Sequence, residues 1–130
     1  MAAPNLVAVT SIFGKTTATT LTSVAQTDIL TCASNKLLKI NTIIISNIDS
    51  DNNDADVTVN FRDSSQSTYF SIAETVTVPN DSVLVVIGKD SPIYLEEGDK
   101  IQAHASATGD LQIVISYEEL DDAWLLLTKL

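Results

Sequence analysis

The only histidine, His104, is the residue of this chain best suited to acid–base chemistry near neutral pH. It lies within Ile101-Gln102-Ala103-His104-Ala105-Ser106, where no neighbouring motif supplies a nucleophile or a second imidazole. No serine stands in a Gly-x-Ser-x-Gly sequence, and the glycines are isolated, so neither an acyl-transfer nucleophile nor a phosphate-binding loop is indicated. We therefore expect His104 to be a surface or interface side chain and the protein not to be an enzyme.

The stretch Asp49-Ser50-Asp51-Asn52-Asn53-Asp54-Ala55-Asp56 has oxygen ligands spaced like those of a calcium loop. The candidate metal ligands are Asp49, Asp51, Asn53 and Asp54. Two positions depart from the helix–loop–helix calcium motif, since Asp54 replaces the turn glycine and Asn60 replaces the bidentate glutamate. The favoured interpretation is a solvated acidic hairpin loop, with a calcium site as the alternative, and no cofactor is expected.

Two further groups of carboxylates lie in Glu96-Glu97-Gly98-Asp99 and in Glu118-Glu119. Adjacent strand residues point to opposite faces, so neither glutamate pair needs to converge on one substrate as a glycosidase pair does. Cys32 is the only cysteine, which excludes an internal disulfide and a multi-cysteine zinc site. We interpret it as a packed thiol.

The elements that carry these residues are predicted to be β-strands, because β-branched residues dominate before residue 118 and turn residues recur at short intervals. The predicted strands are Leu6–Ile12, Thr16–Thr22, Asp28–Cys32, Leu37–Asn47, Asp56–Arg62, Thr68–Glu74, Val83–Ile87, Ile93–Leu95, Lys100–Ala107 and Leu111–Tyr117. Eight or more strands imply two packed sheets, so the fold class is all-β, an antiparallel, jelly-roll-like β-sandwich with a short C-terminal apolar tail or helix.

The long apolar segment Leu37–Asn47 is predicted to be the central strand, either shifting its buried face or buried on both sides at its middle. Alternating apolar residues in Val57–Arg62 and Leu111–Tyr117 each present one face to the core. Thr108-Gly109-Asp110 predicts a tight hairpin between the last two strands. Residues 1–23 are predicted to form an N-terminal arm or an edge strand.

Composition bounds the function further. With 130 residues and 45% hydrophobic content, the chain fits one domain, which we place at residues 1–119. A net charge of −10 disfavours nucleic acid and anionic membranes as partners. The first residues lack the features of a signal peptide, and no apolar run is long enough for a membrane span, so we expect synthesis and folding in the cytosol.

Residues 120–130 do not have the sequence pattern of a β-strand, and they contain the only Trp. As a helix, this tail would place its apolar side chains along one stripe, but eleven residues are too few to hold a helix in water. We predict that it orders on docking, either against a partner or over an edge or end of its own domain. The predicted partner-binding residues are Leu120, Trp124, Leu125, Leu126, Leu127 and Leu130.

Residues 24–119 resemble small structural proteins of tailed bacteriophages, especially those of marine and freshwater hosts including cyanobacteria. The resemblance is carried by Lys39-Ile40-Asn41, Ser46-Asn47-Ile48-Asp49, Ala55-Asp56-Val57-Thr58-Val59, Val78-Pro79-Asn80-Asp81-Ser82-Val83-Leu84-Val85-Val86, Lys89-Asp90-Ser91-Pro92-Ile93-Tyr94-Leu95-Glu96-Glu97-Gly98-Asp99, Ala105-Ser106-Ala107, Asp110-Leu111 and Ile115-Ser116-Tyr117-Glu118-Glu119. It implies a virion β-sandwich without enzymatic activity, located in the head, neck, tail or fibre. The tail after Glu119 departs from the short ending of that family.

The leading functional prediction is a capsid decoration, or cement, protein that forms a homo-oligomer, with a trimer favoured, and bridges major capsid subunits of the virion. The alternative is a neck, tail or fibre domain that binds a host glycan through the loop tips Asp49–Asp54 and Ser64–Thr68. Tyr69, Phe70 and Tyr94 are the aromatic residues close to candidate loops.

Overall fold

The computed structural model describes residues 6–7 and 11–121, and these residues form nine β-strands and no helix. In chain order the strands are β1 (Ile12–Thr20), β2 (Thr27–Thr31), β3 (Lys36–Asn47), β4 (Ala55–Asp63), β5 (Thr68–Val78), β6 (Val83–Ile87), β7 (Ile93–Leu95), β8 (Lys100–Ala105) and β9 (Leu111–Asp121). Nine of the ten predicted strands thus have a counterpart in the structure, with shifts at the strand ends.

Two antiparallel sheets pack face to face. Sheet A has the order β1-β9-β3-β6, with β7 also pairing with β3, and sheet B has the order β2-β8-β4-β5. Successive strands repeatedly cross from one sheet to the other, which is the topology of a jelly roll. The predicted all-β, jelly-roll-like sandwich is confirmed.

Strand β3 lies at the centre of sheet A, between β9 on one side and β6 and β7 on the other. A β-bulge at Asn41 interrupts its pairing with β9. Leu38 and Ile40 face the core before the bulge, and Ile43 and Ile45 face it afterwards. The predicted shift of the buried face is therefore confirmed, and the extra residue at the bulge is its physical cause.

The core lies between the two sheets and is built mainly from the alternating residues of the inner strands. Val57 and Val59 of β4 and Ile113 and Ile115 of β9 are fully buried, as their alternation predicts. Cys32 is also buried, and its thiol donates a hydrogen bond to the Lys36 carbonyl at 3.2 Å. Burial raises the pKa of this thiol to about 11, as expected for a packed cysteine.

The hairpin predicted at Thr108-Gly109-Asp110 is wrong, because β8 belongs to sheet B and β9 to sheet A. The Gly109 N–H donates to the Leu21 carbonyl, and the Leu21 N–H donates to the Leu111 carbonyl. Residues between β1 and β2 therefore hold this turn, whose glycine adopts a φ of +85°. Its residues are those of a hairpin turn, and local turn chemistry does not specify which sheet the next strand joins.

The two ends of the chain differ from prediction. Leu6 and Val7 lie in a turn and β1 begins at Ile12, so the strand predicted at Leu6–Ile12 is absent from the part that the structure describes. Residues 12–20 form the edge strand of sheet A. Strand β9 continues through Glu118 and Glu119 to Asp121, beyond its predicted end at Tyr117.

Candidate interaction surface

His104 lies on the outer face of sheet B, opposite Thr58 of β4. Its neighbours Ala103 and Ala105 are buried in the core, so the imidazole projects away from it. The Nδ1 atom is buried and has no hydrogen-bond partner among the described residues. His104 is partly exposed, which agrees with the expectation of a surface or interface side chain.

The carboxylates of the predicted calcium loop bind the backbone of neighbouring turns. Asp49 Oδ2 accepts from the Asn53 N–H at 2.8 Å, which lowers the pKa of Asp49, and Asp54 Oδ1 accepts from the Asn80 N–H at 3.0 Å. The loop joins β3 in sheet A to β4 in sheet B, so it is a crossover and not a hairpin. Within residues 6–7 and 11–121, no three His, Cys, Asp or Glu side chains are grouped to hold a metal.

In the acidic turn after β7, Asp99 is a structural residue. Its side chain is buried, Oδ1 accepts from the Ser64 N–H at 3.0 Å, and Oδ2 accepts from the Glu96 N–H at 3.0 Å. Gly98 has a φ of +88°, and a Cβ there would lie 2.7 Å from the Ser64 Oγ. The Asp99 carboxylate therefore joins the turn that precedes β5 to the residue that follows β7.

Glu118 and Glu119 lie side by side in β9 and have different partners. Glu118 accepts a hydrogen bond from Asn41 Nδ2 at 3.3 Å, and Glu119 forms an ion pair with Lys15 at 3.1 Å. Successive residues of a strand face opposite sides of the sheet, so the structure does not bring these carboxylates together.

Of the predicted docking residues, Leu120 lies in β9, opposite Leu37 of β3, and is 5% exposed. It is therefore a strand residue with little exposed surface that lies outside the core cluster between the sheets, and its docking role stays a prediction. Trp124, Leu125, Leu126, Leu127 and Leu130 lie outside the described residues, so their docking role stays a prediction.

The exposed large apolar side chains of the described strands lie on edge strands. They are Ile12 and Phe13 of β1, Tyr69 and Phe70 of β5, Val83 and Val85 of β6, and Tyr94 of β7. Natural proteins usually protect sheet edges with charges or prolines, because an open apolar edge promotes association. Sequence reasoning missed Val83 and Val85, although the unbroken apolar run Val83–Ile87 was a signal that an edge strand would expose part of it.

Val85 continues an apolar row across the outer face of sheet A. It pairs with Ile44 of β3, which pairs with Val114 of β9, which in turn pairs with Ala18 of β1. Directly opposite strand residues project to the same face, so these four side chains lie in line. The β6 edge is thus the exposed end of a larger apolar surface.

A groove of about 300 Å³ opens between β5 at the edge of sheet B and β7 at the edge of sheet A. Its lining residues are Phe61, Phe70, Ser71, Ile72, Ile93 and Tyr94. Phe70 and Tyr94 are 49% and 42% exposed. The structure therefore brings together two of the three predicted aromatic residues, while Tyr69 does not line the groove. We call this feature the aromatic groove.

A smaller cavity of about 210 Å³ lies at the opposite flank, between β1 and β2. Threonines supply much of its lining, including Thr17 and Thr19 of β1 and Thr27 of β2, with Asp28 beside them. Asp28 accepts hydrogen bonds from Gln102 Nε2 and Lys100 Nζ, each at 2.7 Å, and these contacts lower its pKa. This cavity is the threonine cavity.

No protein-family model matches this chain, and no curated protein sequence matches it. Among solved structures, the chain is similar to a chain of the acidic stable capsid structure of Helicobacter pylori bacteriophage KHP30. The TM-score is 0.48 and the sequence identity 10%, over 86% of this chain and 89% of that chain. No helix within residues 6–7 and 11–121 is long and apolar enough to cross a membrane.

Proposed function

We propose that this protein is a structural component of a bacteriophage virion, and that it is a capsid decoration, or cement, protein that bridges major capsid subunits. The observation that carries the proposal is the concentration of exposed apolar side chains on the edge strands β1, β5, β6 and β7. The resemblance of residues 24–119 to structural proteins of tailed phages supports the virion assignment. The jelly roll alone does not decide it, since capsid proteins, lectins and cupins share that fold.

The mechanism is mechanical. A stable protein interface buries about 800 Å² on each partner, and burial of apolar surface contributes about 25 cal/mol per Å² before association costs are subtracted. Contacts that span two capsid subunits add this interface free energy to the lattice and so oppose outward pressure from packaged DNA. With a net charge of −10, the protein is also repelled by DNA, which favours a position on the outside of the shell.

The test is binding to heads purified from the phage that encodes this chain. In the variant Val83→Ser/Val85→Ser, two side chains that are 59% and 57% exposed lose their apolar surface, so the fold should persist while affinity for heads falls about tenfold or more. The matched control is Val24→Ser, because Val24 is 62% exposed but lies in a loop. Failure of the intact protein to sediment with heads, or equal binding by both variants, would contradict the proposal.

A neck, tail or fibre domain that binds a host glycan is the second candidate. The meeting of Phe70 and Tyr94 in the aromatic groove favours it, because shallow sugar sites use aromatic platforms. Against it, Ser71 and the Tyr94 hydroxyl are the polar side-chain groups of the groove lining, and sugar hydroxyls need several hydrogen-bond partners. Binding on a glycan array would favour this candidate. Labelled particles with a single ring at one vertex would indicate a neck or tail protein and contradict decoration of the capsid lattice.

A further inference from the structure

The aromatic groove has the chemistry of a receptor for a large apolar side chain. Its floor and walls come from three strands, with Phe61 from β4, Phe70 and Ile72 from β5, and Ile93 and Tyr94 from β7. Phe61, Ile72 and Ile93 also pack against the core, so these walls are fixed by the fold. The exposed parts of Phe70 and Tyr94 remain available to a ligand.

We propose that the aromatic groove receives the C-terminal segment, residues 122–130, of a second copy of this chain, with Trp124 as the side chain that enters it. The inference rests on the proposed function and deepens it, because it identifies the contact that joins decoration-protein copies. The segment contains one Trp and four Leu among nine residues, and it follows directly after β9. Residues that dominate the binding energy of protein interfaces are enriched in Trp and Tyr that fill well-packed pockets.

The position of Asp121 favours a second copy over the same chain. Asp121 pairs with Lys36 at the start of β3, whereas β7 pairs further along β3, with Tyr94 opposite Lys39 and Ile93 opposite Ile40. Strand β9 runs toward the Lys36 end, so the chain leaves it pointing away from its own groove. The segment would have to reverse direction to occupy that groove. A neighbouring copy in a closed ring can present its segment to the groove without such a reversal.

The net charge of the protein predicts how salt affects this contact. Each copy carries a net charge of −10, so two copies repel one another at low ionic strength. An apolar anchor is insensitive to this repulsion, while salt screens it over a Debye length of about 10 Å at 0.1 M. The dissociation constant of the oligomer should therefore fall as the salt concentration is raised from about 0.02 M to about 0.2 M.

Trp124 is the only Trp, so its fluorescence reports the environment of the segment directly. We expect the emission of the intact protein to be shifted to the blue at high concentration and to move to the red on dilution, in step with dissociation measured by sedimentation velocity. Red emission at all concentrations overturns the inference. Blue emission from a monomer, which indicates docking on the same chain, or blue emission only after addition of phage heads, overturns it as well.

Two neighbouring residues of β5 provide a matched pair of variants. Phe70 and Tyr69 are 49% and 52% exposed, but only Phe70 lines the groove. Phe70→Ser should raise the dissociation constant of the oligomer about tenfold or more, while Tyr69→Ser should leave it within about twofold. Equal effects of the two substitutions would contradict docking in the groove.

Mixing two full-length variants separates docking between copies from docking within one. Phe70→Ser retains Trp124 but has a damaged groove, and Trp124→Ser retains the groove but has no Trp. Adding Trp124→Ser protein to Phe70→Ser protein should shift the Trp emission to the blue, because the intact segment enters the intact groove of the other chain. No shift on mixing overturns the inference.

The dilution, variant and mixing measurements use the purified protein alone, so they fail independently of the proposed function. If intact protein binds heads but Trp124 stays solvated in the free oligomer, the decoration role stands and the segment docks elsewhere. If the mixing experiment succeeds but intact protein does not bind heads, the contact between copies stands and the decoration role is lost.

Discussion

The two open flanks of the sandwich have the same architecture and opposite chemistry. Each is a gap between an edge strand of sheet A and an edge strand of sheet B, at β1 and β2 on one side and at β7 and β5 on the other. Threonines with Ser23 and Asp28 form most of the lining of the first gap, beside Leu21, Ile29 and Ala103, whereas aromatic and aliphatic side chains dominate the second. Hydroxyls can exchange hydrogen bonds with water at little cost, whereas exposed apolar surface gains free energy when a partner covers it. The chemistry of the lining therefore distinguishes a solvated flank from an interaction surface.

The largest expected effect is at Asp99, which links the turn before β5 to the residue after β7, the two strands that border the aromatic groove. Asp99→Ala removes the acceptor of the Ser64 and Glu96 N–H groups, which lie before β5 and after β7. Loss of these hydrogen bonds in a buried position should lower the free energy of unfolding by about 3 kcal/mol. Urea denaturation provides the measurement, with Glu96→Gln as the control for loss of one negative charge in the same turn, because the Glu96 side chain is exposed. A cost equal to that of the control would mean that Asp99 does not fix the groove.

The second prediction compares side chains from the linings of the two flanks. Ile72 of the aromatic groove is partly buried against the core, so Ile72→Ala should cost about 1–2 kcal/mol of unfolding free energy. Thr17 of the threonine cavity lies on the edge strand β1, and Thr17→Ala should cost less than about 0.5 kcal/mol. Thermal or urea unfolding of both variants tests the contrast. Similar costs at the two positions would show that the threonine cavity is as firmly packed as the groove.

How far the sequence predicts this contrast depends on the range of the interactions. The shift of the buried face within Leu37–Asn47 was predictable, because the order of apolar residues along this one strand indicates it. The bulge at Asn41 confirms the shift. The groove was not predictable, because Phe61, Phe70 and Ile93 come from three strands that only the sheet topology brings together. For the same reason the turn Thr108-Gly109-Asp110 suggested a hairpin where the chain crosses between sheets.

The partners of several acidic residues were not predictable either. The last strand was predicted to end at Tyr117, but it continues to Asp121, with Glu118 and Glu119 in contact with Asn41 and Lys15 on the two strands that flank β9. The carboxylates of Asp49–Asp56 left a calcium site open as the alternative to a solvated loop, and backbone N–H groups bind two of them, Asp49 and Asp54. In each case the charge was visible in the sequence and its partner was not.

The smallest effect is expected at the carboxylate beside the threonine cavity. The Gln102 amide and the Lys100 ammonium lower the pKa of Asp28 below its usual 3.8, so the folded state binds this proton less readily than the unfolded state. Its contribution to stability is therefore present above about pH 4 and is lost as the pH falls through the lowered pKa. Because the ion pair is largely exposed, Asp28→Asn should cost less than about 1 kcal/mol at neutral pH.

The measurement for Asp28 is the difference in unfolding free energy between wild type and Asp28→Asn at a series of pH values. Asp51→Asn is the control, because it removes the same formal charge from an acidic loop. We expect the Asp28→Asn difference to shrink toward zero in acid. A difference that grows as the pH falls would mean that the Asp28 carboxylate destabilises the fold, and the account of this flank would need revision.

Amide hydrogen exchange, compared between the free protein and the protein bound to phage heads, tests most directly whether the apolar edges hold this protein in the virion. Backbone N–H groups of edge strands exchange readily when no partner covers them, and a partner slows them. The account predicts slower exchange in β5, β6 and β7 on binding, with little change at the threonine cavity between β1 and β2. Unchanged exchange in β5–β7, or protection confined to the β1 and β2 flank, would contradict it.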